Sequence, residues 1–168
     1  MPLEDVIEDL TRRIEVLEAR EWIVRRLYES GYAIQAADFD ELGRLMRDAT
    51  LSVDRPGLPV IHGGDAIRDR YRATNKTYPG HGRAAKEIYH NIIVDVDPDA
   101  GTAQSLTSYT VAMQVPDSGE PFELLVAGRY EDRWRRVEGD WIWTHRHIAV
   151  EFMNDLNRHM HSGTQPYN

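Results

Sequence analysis

The spacing of apolar residues divides the chain into a helical first part and a strand-rich second part. Leu3, Ile7, Leu10, Ile14 and Leu17 alternate steps of four and three, a short heptad seam with charged residues between. This predicts an amphipathic helix lying on another surface, either its own domain or a neighbouring subunit. Helical periodicity resumes at Trp22, Ile23, Leu27 and Ile34, with Gly31 placed to let another backbone approach. The pattern stops near Ala36 and Ala37. Asp38 then stands as an N-cap, with Glu41 in capping-box position ahead of Leu42, Leu45 and Met46.

Beyond that point the period shortens to two. Strands are expected at Thr50–Val53 and Leu58–His62, on either side of the turn Asp54-Arg55-Pro56-Gly57. A helix follows from Ala66 to about Thr74, capped by His62 to Asp65, and residues 75–84, rich in glycine, read as an exposed loop. Four long strands come next, at Glu87–Asp97, Thr102–Val115, Phe122–Trp134 and Trp141–Val150. Gly139 supplies the positive φ for the turn between the last two. The tail carries Leu156, Arg158, His159 and His161 in a helical turn, followed by a loose polar end. Helices on one face of an antiparallel sheet make an α+β domain. A strongly curved sheet wrapped by the N-terminal helices forms a cone with a cavity between the layers.

Composition narrows the classes of partner. With 168 residues the chain suits one domain, and 41% hydrophobic with 29% charged residues is ordinary for a globular protein. A formal net charge of −8 argues against nucleic acid and anionic membranes, which reward clustered positive charge. The absence of cysteine removes disulfides and thiolate chemistry and fits a cytoplasmic location. The acidic N-terminus lacks the features of a signal peptide, and no apolar run approaches the ~20 residues of a spanning helix.

Candidate chemistry follows from strand alternation. Trp141, Trp143, His145 and His147 share one face in a regular strand and are expected to wall a pocket. Arg146 alternates to the opposite face. His90 shares a face with Ile92, Val94 and Val96 and so points inward, where an imidazole with an ordinary pKa of about 6.5 can carry a proton. Glu87 falls on the other face unless a bulge reverses the alternation. Tyr32, Asn91 and Tyr109 are candidate ligand contacts, and Asp38 is a candidate catalytic carboxylate as well as a cap. His145 and His147 have no third ligand at a convincing spacing, so no metal is expected.

The pieces GRYEDRW, RVEGDW and HNIIVDVD, the small-residue stretch GTAQS and the early ADFDEL occur in an order that resembles the SnoaL-like branch of the nuclear transport factor 2 superfamily. The resemblance runs from about Ala19 to Ile148. It implies a cystatin-like α+β barrel: a cone-shaped antiparallel sheet wrapped by helices. It also implies proton chemistry without metal or organic cofactor, of dehydratase, isomerase or cyclase type, on a hydrophobic cyclic substrate such as a polyketide or steroid. A non-catalytic binding module using the same cavity is the alternative. The branch's tyrosine and aspartate fall on Ser30 and Gln35, with Tyr32 and Asp38 nearby. Its acid–base histidine falls on Glu87, with His90 nearby. Residues 1–18 then form a helical extension, 19–152 the SnoaL-like domain and 153–168 a tail. A hydrophobic small-molecule ligand and a homodimer or homotrimer are the expected partners.

Overall fold

Helix α1 runs without a break from Leu3 to Ala36. No proline or glycine separates the heptad seam from the second periodic stretch, so the two join, and the expected boundary at residue 18 lies inside one helix. The computed structural model describes residues 2–161. α1 ends where Ala37 takes a left-handed φ of 59° and its N–H donates to the Ile34 carbonyl. Asp38 then accepts from the Glu41 N–H at 3.1 Å and opens α2 (Phe39–Leu45), as the sequence pattern predicts. The next elements are β1 (Thr50–Val53), β2 (Ile61–His62) and α3 (Gly64–Thr74). α2 and α3 touch backbone to backbone: a Cβ on Gly64 would lie 2.0 Å from the Gly43 carbonyl oxygen. Among the described residues no helix is long and apolar enough to cross a membrane.

Strands β3 (Ala85–Asp97), β4 (Thr102–Met113), β5 (Glu123–Val137) and β6 (Asp140–Met153) pair consecutively and antiparallel. β1 joins them alongside β6 in parallel, with β2 beyond it, giving the order β2-β1-β6-β5-β4-β3. The curved sheet is therefore mixed rather than wholly antiparallel. A parallel pair needs a long connection, and everything from β2 to β5 supplies it. The two edge strands, β2 and β3, do not pair, so the barrel stays open.

Two bulges decide which side chains enter the cone. On β3 the register shifts between His90 and Ile93, and Asn91 sits at φ 51°. Asparagine tolerates that left-handed conformation better than most residues. The extra residue reverses the alternation, so Glu87 and Tyr89 point inward before it, and Ile92, Val94 and Val96 after it. On β6, Trp143 faces Trp134 while His145 faces Arg133, which leaves Thr144 as the extra residue. Trp141 and Trp143 are consequently buried, and so is Arg146, whereas His145 and His147 turn to the other face.

The interior forms two apolar clusters. One joins α1, α2 and β5–β6 through Ile23, Leu27, Leu42, Trp134 and Trp143, with Trp22 edge-on to Trp134 at 6.2 Å. The other gathers Tyr109, Val111, Leu125, Tyr130 and Leu156. Gly31 fits here in an unexpected way: a ring, not a backbone, approaches it, since a Cβ there would come 3.2 Å from the Tyr89 side chain.

Candidate functional site

A cavity of about 340 Å³ opens between the two clusters, with Leu51, Ile61 and Tyr71 from the first and Tyr109, Tyr130 and Leu156 from the second among its walls. α3 lends Arg70, Tyr71 and Thr74, and its position depends on the close glycine contact with α2. The segment after β6 closes the other side. Its turn is held by Met160 N–H donating to the Leu156 carbonyl at 2.8 Å. Four further bonds tie it to residues 74–78: Lys76 N–H to the His159 carbonyl, Lys76 Nζ to the Asn157 carbonyl, His161 N–H to the Thr74 carbonyl, and the Tyr78 hydroxyl to the Arg158 carbonyl. This docking buries Leu156 and His159. The expected loose end, beyond His161, lies outside the described residues.

A charged cluster sits in this largely apolar cavity. Arg83 Nη1 donates to Glu87 Oε1 at 2.7 Å, and each side chain is only 3% exposed. Arg83 Nη2 lies 2.5 Å from His159 Nε2. A guanidinium has donors only, so Nε2 accepts, and in the neutral ring the proton resides on Nδ1. Burial first, and the Arg83 charge second, push the His159 pKa down to about 2, so the ring is neutral at physiological pH. The Tyr130 hydroxyl stands 3.5 Å from Glu87 Oε2, a long contact that leaves this oxygen weakly engaged. Burial, and next the Glu87 charge, raise the Tyr130 pKa and keep the phenol protonated. Arg83 Nε and His159 Nδ1 are buried and have no hydrogen-bond partner among the described residues. Two N–H donors of cavity-lining side chains thus lack acceptors, a costly arrangement.

Aromatic rings connect this cluster to the core. Tyr109 stacks on Tyr130 at 4.2 Å, and Tyr89 meets Tyr130 edge-on at 5.5 Å. Behind Tyr130, Arg146 and Asp132 form a fully buried bidentate pair, Nε to Oδ1 at 2.8 Å and Nη2 to Oδ2 at 3.0 Å. Trp143 Nε1 adds a third donor to Asp132 Oδ1 at 3.0 Å. Burial raises the Asp132 pKa, and Arg146 opposes that shift.

Of the residues singled out by the sequence, Glu87 and Tyr109 line the cavity. His90 does not: the Asn91 bulge turns it to the exposed face, with its Nε2 3.3 Å from Thr110 Oγ1. Asn91 is exposed at the bulge itself. Tyr32 is 72% exposed and borders a separate surface groove with Gln35 and Phe122. Asp38 caps α2. Trp143 is packed in the core against Trp134 at 4.4 Å. His145 and His147 bond instead to the hydroxyls of β1, Nδ1 of His145 at 2.5 Å from Thr50 Oγ1 and Nδ1 of His147 at 2.9 Å from Ser52 Oγ. Ser30 and Gln35 each donate to a carbonyl of their own helix, on Leu27 and Gly31. Arg83, Tyr130 and His159 line the cavity as well, and the sequence pattern alone does not single them out. Arg83 lies in a stretch expected to be exposed, and His159 in a tail without periodicity. Tyr130, by contrast, sits in plain alternation with Asp132 and Trp134.

The chain belongs to the SnoaL-like domain family, whose sequence profile matches residues 15–147. Its fold is similar to that of an NTF2-like protein with a cystatin-like fold from Novosphingobium aromaticivorans, with TM-score 0.70, 22% identity and coverage of 85% of this chain and 88% of that one. A putative scytalone dehydratase from the same organism superposes with TM-score 0.66 and 19% identity over 85% of this chain and 91% of the other. The hexachlorocyclohexane dehydrochlorinase LinA-type3 from Novosphingobium barchaimii gives TM-score 0.66 and 15% identity over 90% and 95% of the two chains. At these identities the likeness is one of fold. No curated protein matches the chain.

Proposed function

We propose that this protein is a small-molecule enzyme that moves a proton within a hydrophobic cyclic substrate, by a dehydratase, isomerase or cyclase reaction on a ring of polyketide or steroid type. The observation that carries the proposal is the Arg83–Glu87–His159 cluster buried at an apolar cavity with two N–H donors unpaired. Glu87 is the base. Its Oε2 takes a proton from a carbon next to the substrate carbonyl, the C–H electron pair passes into the adjoining C–C bond, and the carbonyl π electrons move onto oxygen. One of the two unpaired donors, Arg83 Nε–H or His159 Nδ1–H, serves that oxygen as its charge grows, a role that suits a preplaced donor away from water. The same carboxylic acid then returns the proton, either to a departing hydroxyl or to another ring carbon. Tyr109, backed by its stack on Tyr130, is the aromatic surface against which a ring packs. Side chains alone supply everything these steps require. The cavity volume lies at the lower end of small-molecule sites.

The second reading is a binding module with no turnover. It is favoured by Ser30 and Gln35, whose side chains are occupied with helix carbonyls, and by the tie between Glu87 and Arg83. The experiment that separates the two is hydrogen–deuterium exchange into a panel of cyclic ketones, followed by mass spectrometry. Catalysed exchange in the native protein that falls at least about 100-fold in Glu87→Gln supports the enzyme. Ligands that bind without exchange, or exchange unaffected by Glu87→Gln, overturn it.

A further inference from the structure

We infer that the N-terminal part of α1 is a dimerisation element, pairing with the same segment of a second copy as a short parallel two-stranded coiled coil. Leu3, Ile7, Leu10, Ile14 and Leu17 are 49–74% exposed, five large apolar side chains along one line of a formed helix. The opposite side of the helix is held to the protein body: Arg12 bonds both carboxylate oxygens of Asp99 and Glu15 approaches Arg136 at 4.0 Å. In heptad terms, with isoleucine at a and leucine at d, Arg12 is an f position and Glu15 a b position, both turned away from the seam. Ala19 and Ile23, where the helix enters the core, continue that inner side. The seam thus faces outward over its whole length, and two bodies can sit on opposite flanks of a helix pair without meeting.

Three features select the partner and the geometry. Isoleucine at both a positions, with leucine at all three d positions, is the pattern that favours two strands over three or four. The flanking charges favour the parallel arrangement: Arg13 at g faces Glu18 at e of the second copy, five residues on, an attractive pair. An antiparallel pairing would bring g against g and e against e, placing like charges together. The seam also stops in a defined place, because the next a position is Glu21, which would meet its own copy across the axis. The outer sheet face, where Ile88, Ile93 and Phe152 are exposed, is the competing surface.

Sedimentation velocity over micromolar to millimolar concentration tests the inference on the full chain. The native protein should sediment as a dimer of its 19.4 kDa chain. Ile7→Glu with Ile14→Glu should raise the dissociation constant at least about 100-fold while circular dichroism of the folded body stays unchanged. Arg13→Glu and Glu18→Arg should each weaken the dimer, and together restore it. Because the chain has no cysteine, Leu3→Cys gives a clean orientation readout: oxidation should link two copies through this position if the helices run parallel. A native monomer throughout, a dimer indifferent to the paired isoleucine substitutions, or no cross-link from Leu3→Cys in a confirmed dimer each overturns the inference.

Discussion

Arg146 lies 3.9 Å over the ring of Tyr130, and that stack joins the buried ion pair of the core to the wall of the cavity. The same guanidinium is 4.3 Å from Trp143 and bidentate to Asp132. Removing one partner strands the other charge in the interior. Arg146→Met should therefore cost about 3–5 kcal/mol of stability, read from urea unfolding. Replacing both partners, Arg146→Met with Asp132→Leu, should recover most of the loss, because no uncompensated charge remains. Equal instability of the single and double variants would contradict this account.

Acid should weaken the fold partly through His159. Its folded pKa of about 2 lies below the unfolded value, so between about 6.5 and that limit the unfolded chain binds a proton that the folded chain does not. Stability from this group is complete above about pH 6.5 and falls as pH drops, by up to about 1.4 kcal/mol per pH unit. His159→Gln keeps an acceptor for Arg83 and cannot titrate. The difference between the two proteins, measured by denaturant titration from pH 7 downward, should shrink steadily as the native protein loses its advantage.

The bulge at Asn91 makes its own prediction. With φ at 51°, Asn91→Val places a β-branched side chain in a left-handed conformation and should cost about 1–3 kcal/mol. Asn91→Gly should remain within a few tenths of a kcal/mol of the native protein, roughly the scale on which asparagine and glycine trade places there. Thermal unfolding of the two variants distinguishes this from a simple loss of a polar surface residue, which would affect both alike.

Gly64→Ala tests how the cavity is positioned. The new methyl group would overlap the Gly43 carbonyl, a backbone atom that cannot rotate away. The expected result is a loss of about 1–3 kcal/mol from overpacking, together with weaker ligand binding, because α3 carries Arg70, Tyr71 and Thr74 into the cavity. Unaltered ligand affinity in a destabilised Gly64→Ala would detach the helix contact from the site.

The fold was legible because its signals are long. The heptad seam, the Asp38 cap and the alternation of Tyr130, Asp132 and Trp134 each persist over several residues, and the elements they predict are present. The site was legible only in part because single residues control its phase. One extra residue at Asn91 turned His90 outward and Glu87 inward, and one at Thr144 moved Arg146 in and the two histidines out. The adjacent polar residues His90 and Asn91, both exposed, are the visible trace of the first bulge, since strict alternation would turn one of them inward. His159 left no such trace. Its place is set by tertiary docking of a short turn onto residues 74–78, which periodicity does not encode.

That docking has a consequence for how the molecule is made. Every strand of the sheet precedes Asn154 in the chain, so during vectorial synthesis the scaffold emerges from the ribosome before the turn that carries Leu156, His159 and Met160. Undocking this turn would uncover the pocket and take the imidazole neighbour from Arg83 without removing any strand of the sheet. Architecture and pocket closure are thus carried by different segments of this chain, the sheet by residues up to Met153 and the closure by the turn that follows.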